Sequence, residues 1–292
     1  MIRAHYLKTL LQSALIVAAA GFVTETASAQ IVRDEEQPGA YSKNGPFQNA
    51  RYNLRSWSAG ATVYHPTSGT PPYSAIVFCP PFTGSQPMYA AWGPFFASHG
   101  IIMVTMDTRT TGDSVDSRAG QQQQVVDLMI KENTGSGPLA GKIDTSRIGV
   151  TGWSMGGGAT WISASVKQGL KTAMSLAGHN MTAINPAARG GSLKIPTIIF
   201  NGSTDATILG GMGQSSGVFR AIPNPTPKVI YEVSTAGHFS WGSPQQASND
   251  VAVLALAFQK AYLDGDLRWT QFIKRPAARV GLYNQANIDG AN

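Results

Sequence analysis

One cysteine, Cys79, stands alone in 292 residues, so no intramolecular disulfide can form and stability has to come from packing. Cys79 lies in the apolar run AIVFCP and reads as a small buried hydrophobe. No helix start or neighbouring histidine marks it as a thiol nucleophile. Charge is also scarce. Asp, Glu, Lys and Arg make up 13% of the chain, and the net charge of +6 is scattered, with one small cluster at Lys274, Arg275 and Arg279. A nucleic-acid partner calls for a Lys/Arg stripe interleaved with aromatics, and there is none, so no such partner is expected. No His/Cys/Asp/Glu group has metal-ligand spacing, and no glycine run matches a dinucleotide-binding turn, so neither a metal nor a cofactor is expected. Repeats of ~20–50 residues are absent, which excludes solenoids and propellers.

Long apolar runs are missing as well, except at the start. MIRAHYLKTLLQSALIVAAAGFVTETASAQ opens with Arg3 and Lys8, continues mostly apolar from Leu10 to Val23, and carries the small-residue site Ala27-Ser28-Ala29. This is the pattern of a secretory signal peptide cleaved after Ala29. The apolar run is short for a membrane span of ~20 residues. Residues 30–292 are therefore expected to be exported, to the periplasm or the medium, as a soluble monomer without stable membrane insertion.

What is abundant is apolar surface, at 42% of residues, and glycine, at 32 positions. A polar segment is followed by two short strands, Arg51 to Ser58 and Ala61 to His65, read as an antiparallel pair. Apolar runs then alternate with amphipathic stretches. Strands are predicted at Ser74 to Pro81, Ile101 to Asp107, Arg147 to Gly152, Thr172 to Gly178, Ile195 to Gly202 and Lys228 to Ser234. Helices are predicted at Met88 to His99, Gln121 to Lys131, Met155 to Gln168 and Val251 to Tyr262, the last closing the domain. The glutamine run inside the second helix reads as a solvated face. Near-continuous apolar strands alternating with helices predict one α/β domain over 30–292, with a mostly parallel central sheet and helices on both faces.

Gly152-Trp153-Ser154-Met155-Gly156 fits G-x-S-x-G. A predicted strand precedes it and a predicted helix follows, the context of a nucleophile elbow. A serine nucleophile needs a base, and the base needs an acid, in the chain order Ser, acid, His. Of the five histidines only His179 and His238 follow Ser154, and no acid lies between Ser154 and His179. His238 is therefore the expected base. Between Ser154 and His238 the only acids are Asp205 and Glu232. Asp205 is preferred because it follows the C-terminal end of a strand, where such sheets place their sites, whereas Glu232 lies inside one. An oxyanion hole needs two backbone N–H groups. Met155 supplies one. After Pro80 and Pro81, which have no N–H, Phe82 is the first residue able to supply the other.

GWSMGGG, the segment after IIMVTMDT, WGPFFASHG, KIDTSRIGVTG and the Asp205/His238 spacing together resemble bacterial cutinases and poly(ethylene terephthalate) hydrolases, from about Ala59 to Asp266. The resemblance implies a secreted serine hydrolase of the α/β-hydrolase fold that cuts carboxylic esters, polyesters included. It places Ser154, Asp205 and His238 on the family's triad and Phe82 and Met155 on its oxyanion donors. It makes Phe82, Trp153, His179 and Phe239 substrate-binding, with Trp153 as an aromatic wall of the cleft. His179 stands where the family usually has tryptophan, Phe239 follows the catalytic histidine as in many cutinases, and the family's C-terminal disulfide is missing. Two rivals accompany this reading: an esterase or lipase for small soluble esters, and an exported binding protein that kept the fold without catalysis.

Overall fold

The structure is a computed structural model that describes residues 38–180, 190–206, 211–274 and 280–288. The expected signal peptide lies outside the described residues, as do Arg275 and Arg279 of the basic cluster. The strands are β1 (Asn49–Asn53), β2 (Ala61–Pro66), β3 (Tyr73–Cys79), β4 (Ile101–Met106), β5 (Ile143–Trp153), β6 (Leu170–Leu176), β7 (Thr197–Gly202), β8 (Lys228–Val233) and β9 (Val280–Ala286). The helices are α1 (Trp92–Ser98), α2 (Val115–Glu132), α3 (Met155–Val166), α4 (Gly211–Ala221), α5 (Asn249–Tyr262) and α6 (Thr270–Lys274).

The strands form one sheet in the order β1-β2-β4-β3-β5-β6-β7-β8-β9. From β4 to β8 neighbours run parallel, while β1, β2 and β9 pair antiparallel at the two margins. This is the mostly parallel sheet of an α/β-hydrolase fold. Its central strands β3, β4 and β7 are buried on both faces, so alternate side chains enter different cores. On β3, Ile76 and Phe78 join the core under α1 and α5, whereas Ala75 and Val77 join the core under α2 and α3. Period-2 geometry splits a continuous apolar run into two inward faces.

The glutamine run departs from the reading as a solvated face. Gln121 and Gln122 are buried, and Gln122 Nε2 donates to the carbonyls of Thr151 at 2.8 Å and Val77 at 3.2 Å. The reason is helical period: α2 starts earlier than predicted, capped by Ser114, whose hydroxyl accepts from Ser117 N. That start puts Val115, Arg118, Gln122, Val125 and Met129 on one inward stripe. Two further elements differ from the sequence reading. The glycine-rich segment Gly211–Ala221 is helical, and the chain continues past α5 into β9, an edge strand of low apolarity.

A buried ionic cluster ties the N-terminal ends of β3 and β5 to the end of α5. Asp264 accepts hydrogen bonds from Ser74 Oγ at 2.6 Å, Lys260 Nζ at 2.9 Å and Arg147 Nη1 at 3.2 Å. The side chains of Lys260 and Asp264 are both almost fully removed from solvent. A lone buried charge is far more costly than a buried pair. Asp264→Ala would strand the Lys260 ammonium, and we expect it to destabilise the fold by about 3–5 kcal/mol in urea unfolding followed by circular dichroism. A loss under about 1 kcal/mol would mean that the cluster is solvated or dispensable.

Candidate active site

The parallel register aligns the C-terminal ends of β3, β5, β6, β7 and β8 along one rim of the sheet. The site residues leave that rim in turn: Phe82 after β3, Ser154 after β5, His179 after β6, Asp205 after β7 and His238 after β8. Open parallel sheets collect their chemistry at this edge, because all the strand-to-helix loops point the same way.

Ser154 sits between β5 and α3 with φ 60° and ψ −120°. A non-glycine residue there is strained by roughly 1–3 kcal/mol, a cost that the surrounding packing must hold in place. The packing is backbone on backbone. A Cβ at Gly156 would stand 2.1 Å from the Cys79 carbonyl oxygen, and one at Gly158 would stand 2.1 Å from that of His179. Only glycine lets the start of α3 approach the ends of β3 and β6 so closely. The tight turn aims the serine hydroxyl into the cleft.

Asp205 and His238 lie on loops laced together. Thr204 N and Thr204 Oγ1 both donate to the Ala236 carbonyl, at 3.1 and 2.8 Å. His238 Nδ1 stands 2.8 Å from Asp205 Oδ2, and His238 Nε2 stands 2.8 Å from Ser154 Oγ. The Asp205 carboxylate is fully buried. It holds the Nδ1–H tautomer, which leaves Nε2 as a bare acceptor for the serine proton. Glu232, the other acid considered, lies on β8 and pairs across the sheet with Asn201 and Leu282.

His179 also reaches the serine. Its Nε2 stands 3.1 Å from Ser154 Oγ, and its own backbone N–H donates to the Ser154 carbonyl at 3.2 Å. The chain-order argument set His179 aside as base and gave no hint of this contact. Burial, reinforced by the neighbouring His238, pushes its pKa down to about 4, so the ring is neutral. Among the described residues its Nδ1 has no hydrogen-bond partner. A base needs an acid behind it, and the carboxylate stands behind His238.

Phe82 and Met155 line the same cleft as Ser154. Met155 opens α3, where a helix leaves its first N–H groups without intrahelical partners. The loop carrying Phe82 is held from behind by Arg118, a buried cation that the sequence reading did not single out. Its guanidinium donates to the carbonyls of Pro80 at 3.1 Å and Thr111 at 2.6 Å, and Thr111 O also accepts from Thr83 N at 3.0 Å. An arginine inside the apolar stripe of α2 was the available signal.

The cleft has a volume of about 260 Å³ and is lined by Pro81, Phe82, Thr83, Met88, Ser154, Met155, His179, His238 and Phe239. Phe82 is 54% and Phe239 71% exposed, so the rings stand open on either side of the serine. Trp153 departs from the reading as a cleft wall. It is only 2% exposed, donates from Nε1 to the His238 carbonyl at 2.8 Å, and meets Phe239 edge-on at 6.1 Å. Its place is behind the cleft, because β5 turns the residue before the serine into the core under α5. Cys79 is buried, and its thiol pKa is pushed up to about 12 by burial, which fits an inert filler.

His99, buried against Phe95 and the Lys43 carbonyl, is also pushed down to about 4 by burial. Both His99 and His179 are neutral in the folded chain, while in the unfolded chain each takes up a proton below its ordinary value of 6.5. The unfolded state thus binds more protons as pH falls, and stability is lost between about 6.5 and 4, by up to ~1.4 kcal/mol per pH unit for each ring. Urea unfolding at stepped pH should show this slope, and His99→Gln should reduce it. An unchanged slope in that variant would remove His99 from the explanation.

Comparison with known proteins identifies the family. The PET hydrolase-like family model matches residues 24–288. Cutinase est2 of Thermobifida alba is 34% identical over 245 residues, covering 82% of this chain and 77% of the cutinase. Cutinase 2 of Thermobifida cellulosilytica is 32% identical, covering 84% of this chain and 90% of its own. The bis(hydroxyethyl) terephthalate hydrolase of Streptomyces coelicolor is 32% identical, covering 82% of this chain and 76% of its own. A family match over most of the chain, on a mostly parallel sheet with a strained serine at its rim, places this chain in the PET hydrolase-like family.

Proposed function

We propose that this chain is an exported, cutinase-like serine hydrolase of carboxylic esters that accepts polyesters as well as short-chain esters. The observation that carries the reading is the unbroken chain of contacts from Asp205 through His238 to Ser154, opening into a cleft flanked by exposed Phe82 and Phe239. The relatives named cutinase and bis(hydroxyethyl) terephthalate hydrolase support the polyester part. An open cleft with apolar rims suits an extended chain, of which only the scissile ester need enter.

The residues divide the chemistry between them. Ser154 Oγ attacks the ester carbonyl as His238 Nε2 takes its proton. Asp205 stabilises the imidazolium that forms. The amides of Phe82 and Met155 bind the oxyanion, each donor worth ~10²–10³ in rate. The alcohol leaves with the proton from His238. Water then attacks the acyl-enzyme by the same route and frees the acid. Among the described residues no helix is long and apolar enough to cross a membrane, and the N-terminal pattern supports export. We take the active species to be the monomer.

Ser154→Ala is expected to abolish turnover of a nitrophenyl butyrate and covalent labelling by a fluorophosphonate. Retained turnover would sink the reading. The wild type should also release soluble acid from a terephthalate polyester film. Turnover of the short ester with no release from film would favour the small-ester esterase.

A further inference from the structure

We propose that His179 is a second catalytic histidine, a permanent N–H donor to Ser154 Oγ that speeds release of the acyl-enzyme. The proposal rests on the serine-hydrolase reading above. It begins with a count of protons. The Ser154 hydroxyl has one proton, and it is donated to His238 Nε2 at 2.8 Å, because His238 Nδ1–H is already directed at the Asp205 carboxylate. The contact between Ser154 Oγ and His179 Nε2, at 3.1 Å, therefore needs its hydrogen from the histidine. His179 is the Nε2–H tautomer. Its bare Nδ1 is buried and has no partner among the described residues.

That tautomer is locked into one role. The ring is neutral, and among the described residues nothing hydrogen-bonds Nδ1 to stabilise an imidazolium, so His179 does not exchange protons with the substrate. It donates a hydrogen bond and keeps its proton throughout. Its position is set by the backbone, through His179 N–H on the Ser154 carbonyl and the close approach of the His179 carbonyl to Gly158.

The benefit falls unequally on the two half-reactions. In the free enzyme Oγ already accepts this bond, so acylation gains little: what the bond lends the forming alkoxide it also lends the ground state. In the acyl-enzyme Oγ is an ester oxygen, a poor acceptor. When water adds to the carbonyl carbon, His238 takes a proton from it. As the tetrahedral intermediate collapses, the C–Oγ bond breaks and its electron pair goes to Oγ. The proton on His238 Nε2 then moves to Oγ. Negative charge grows on Oγ as that bond breaks, and the His179 N–H strengthens its hold there. Deacylation is the step that His179 accelerates.

The experiment is pre-steady-state hydrolysis of a nitrophenyl ester by wild type, His179→Phe and His179→Gln, with active sites counted by fluorophosphonate labelling. The phenyl ring keeps the volume but has no N–H; the glutamine amide retains a donor. In His179→Phe, deacylation should slow by about 10- to 100-fold, less than the ~10²–10³ of one lost oxyanion-hole donor because the charge on Oγ is transient, while acylation changes less than threefold. The variant then shows a burst of nitrophenol followed by a slow phase, and kcat and KM fall together. His179→Gln should recover most of the deacylation rate. A donorless variant with no burst and kcat within twofold of wild type overturns the proposal, as does an equal fall in both steps. If the Phe variant does not fold, His179→Met carries the same comparison. Turnover retained in Ser154→Ala would remove the parent reading; an inactive Ser154→Ala beside an unaffected His179→Phe removes only this one.

Discussion

The strained turn at Ser154 is the constraint on which the rest of the site depends. A serine at φ 60° is not a relaxed residue, and nothing local rewards it. It persists because α3 is pressed, backbone to backbone, against the ends of β3 and β6. Gly156 against the Cys79 carbonyl and Gly158 against the His179 carbonyl are the two contacts that no side chain could share. The same approach brings the Met155 amide and the Phe82 loop together, and it carries His179 to the serine. One packing decision thus sets Ser154, Met155, the Phe82 loop and His179 at once.

The two histidines around the serine illustrate how environment divides roles between identical side chains. His238 has a buried carboxylate at 2.8 Å behind it and can hold a positive charge. The buried Nδ1 of His179 has no hydrogen-bond partner among the described residues, and the neutrality of the ring follows from its burial beside His238. The chemistry available to each ring is decided by what lies on the far side from the serine. Charges elsewhere obey the same rule. Arg118 is tolerated in the interior because loop carbonyls surround it, and Lys260 because Asp264 meets it.

The contact chain from Asp205 through His238 to Ser154 was legible because the motif and the chain order leave few choices, and so few acids and histidines lie downstream. The strands of the parallel sheet were legible from their apolar runs. The glutamine run was misjudged because composition spoke louder than period: counting in steps of three and four from Val115 would have put Gln122 inside. Helix α4 was overlooked because its glycines argue against a helix that tertiary packing nevertheless imposes. Strand β9 escaped because its identity comes from pairing with β8, and VGLYNQA carries little pattern of its own. Trp153 was placed on the cleft wall by the family resemblance, whereas the turn of the strand end points it into the core.

The sequence by itself determined most of the strands and helices, the candidate serine with its candidate acid and base, and the absence of an intramolecular disulfide. These follow from local periodicity, from a glycine spacing with one steric meaning, and from residue counts. Only the tertiary structure decided which side chains meet across the rim: His179 on the serine, Arg118 behind the Phe82 loop, Trp153 behind His238. Those contacts join loops from different strands, and the register of the sheet, which no local stretch encodes, sets their distances.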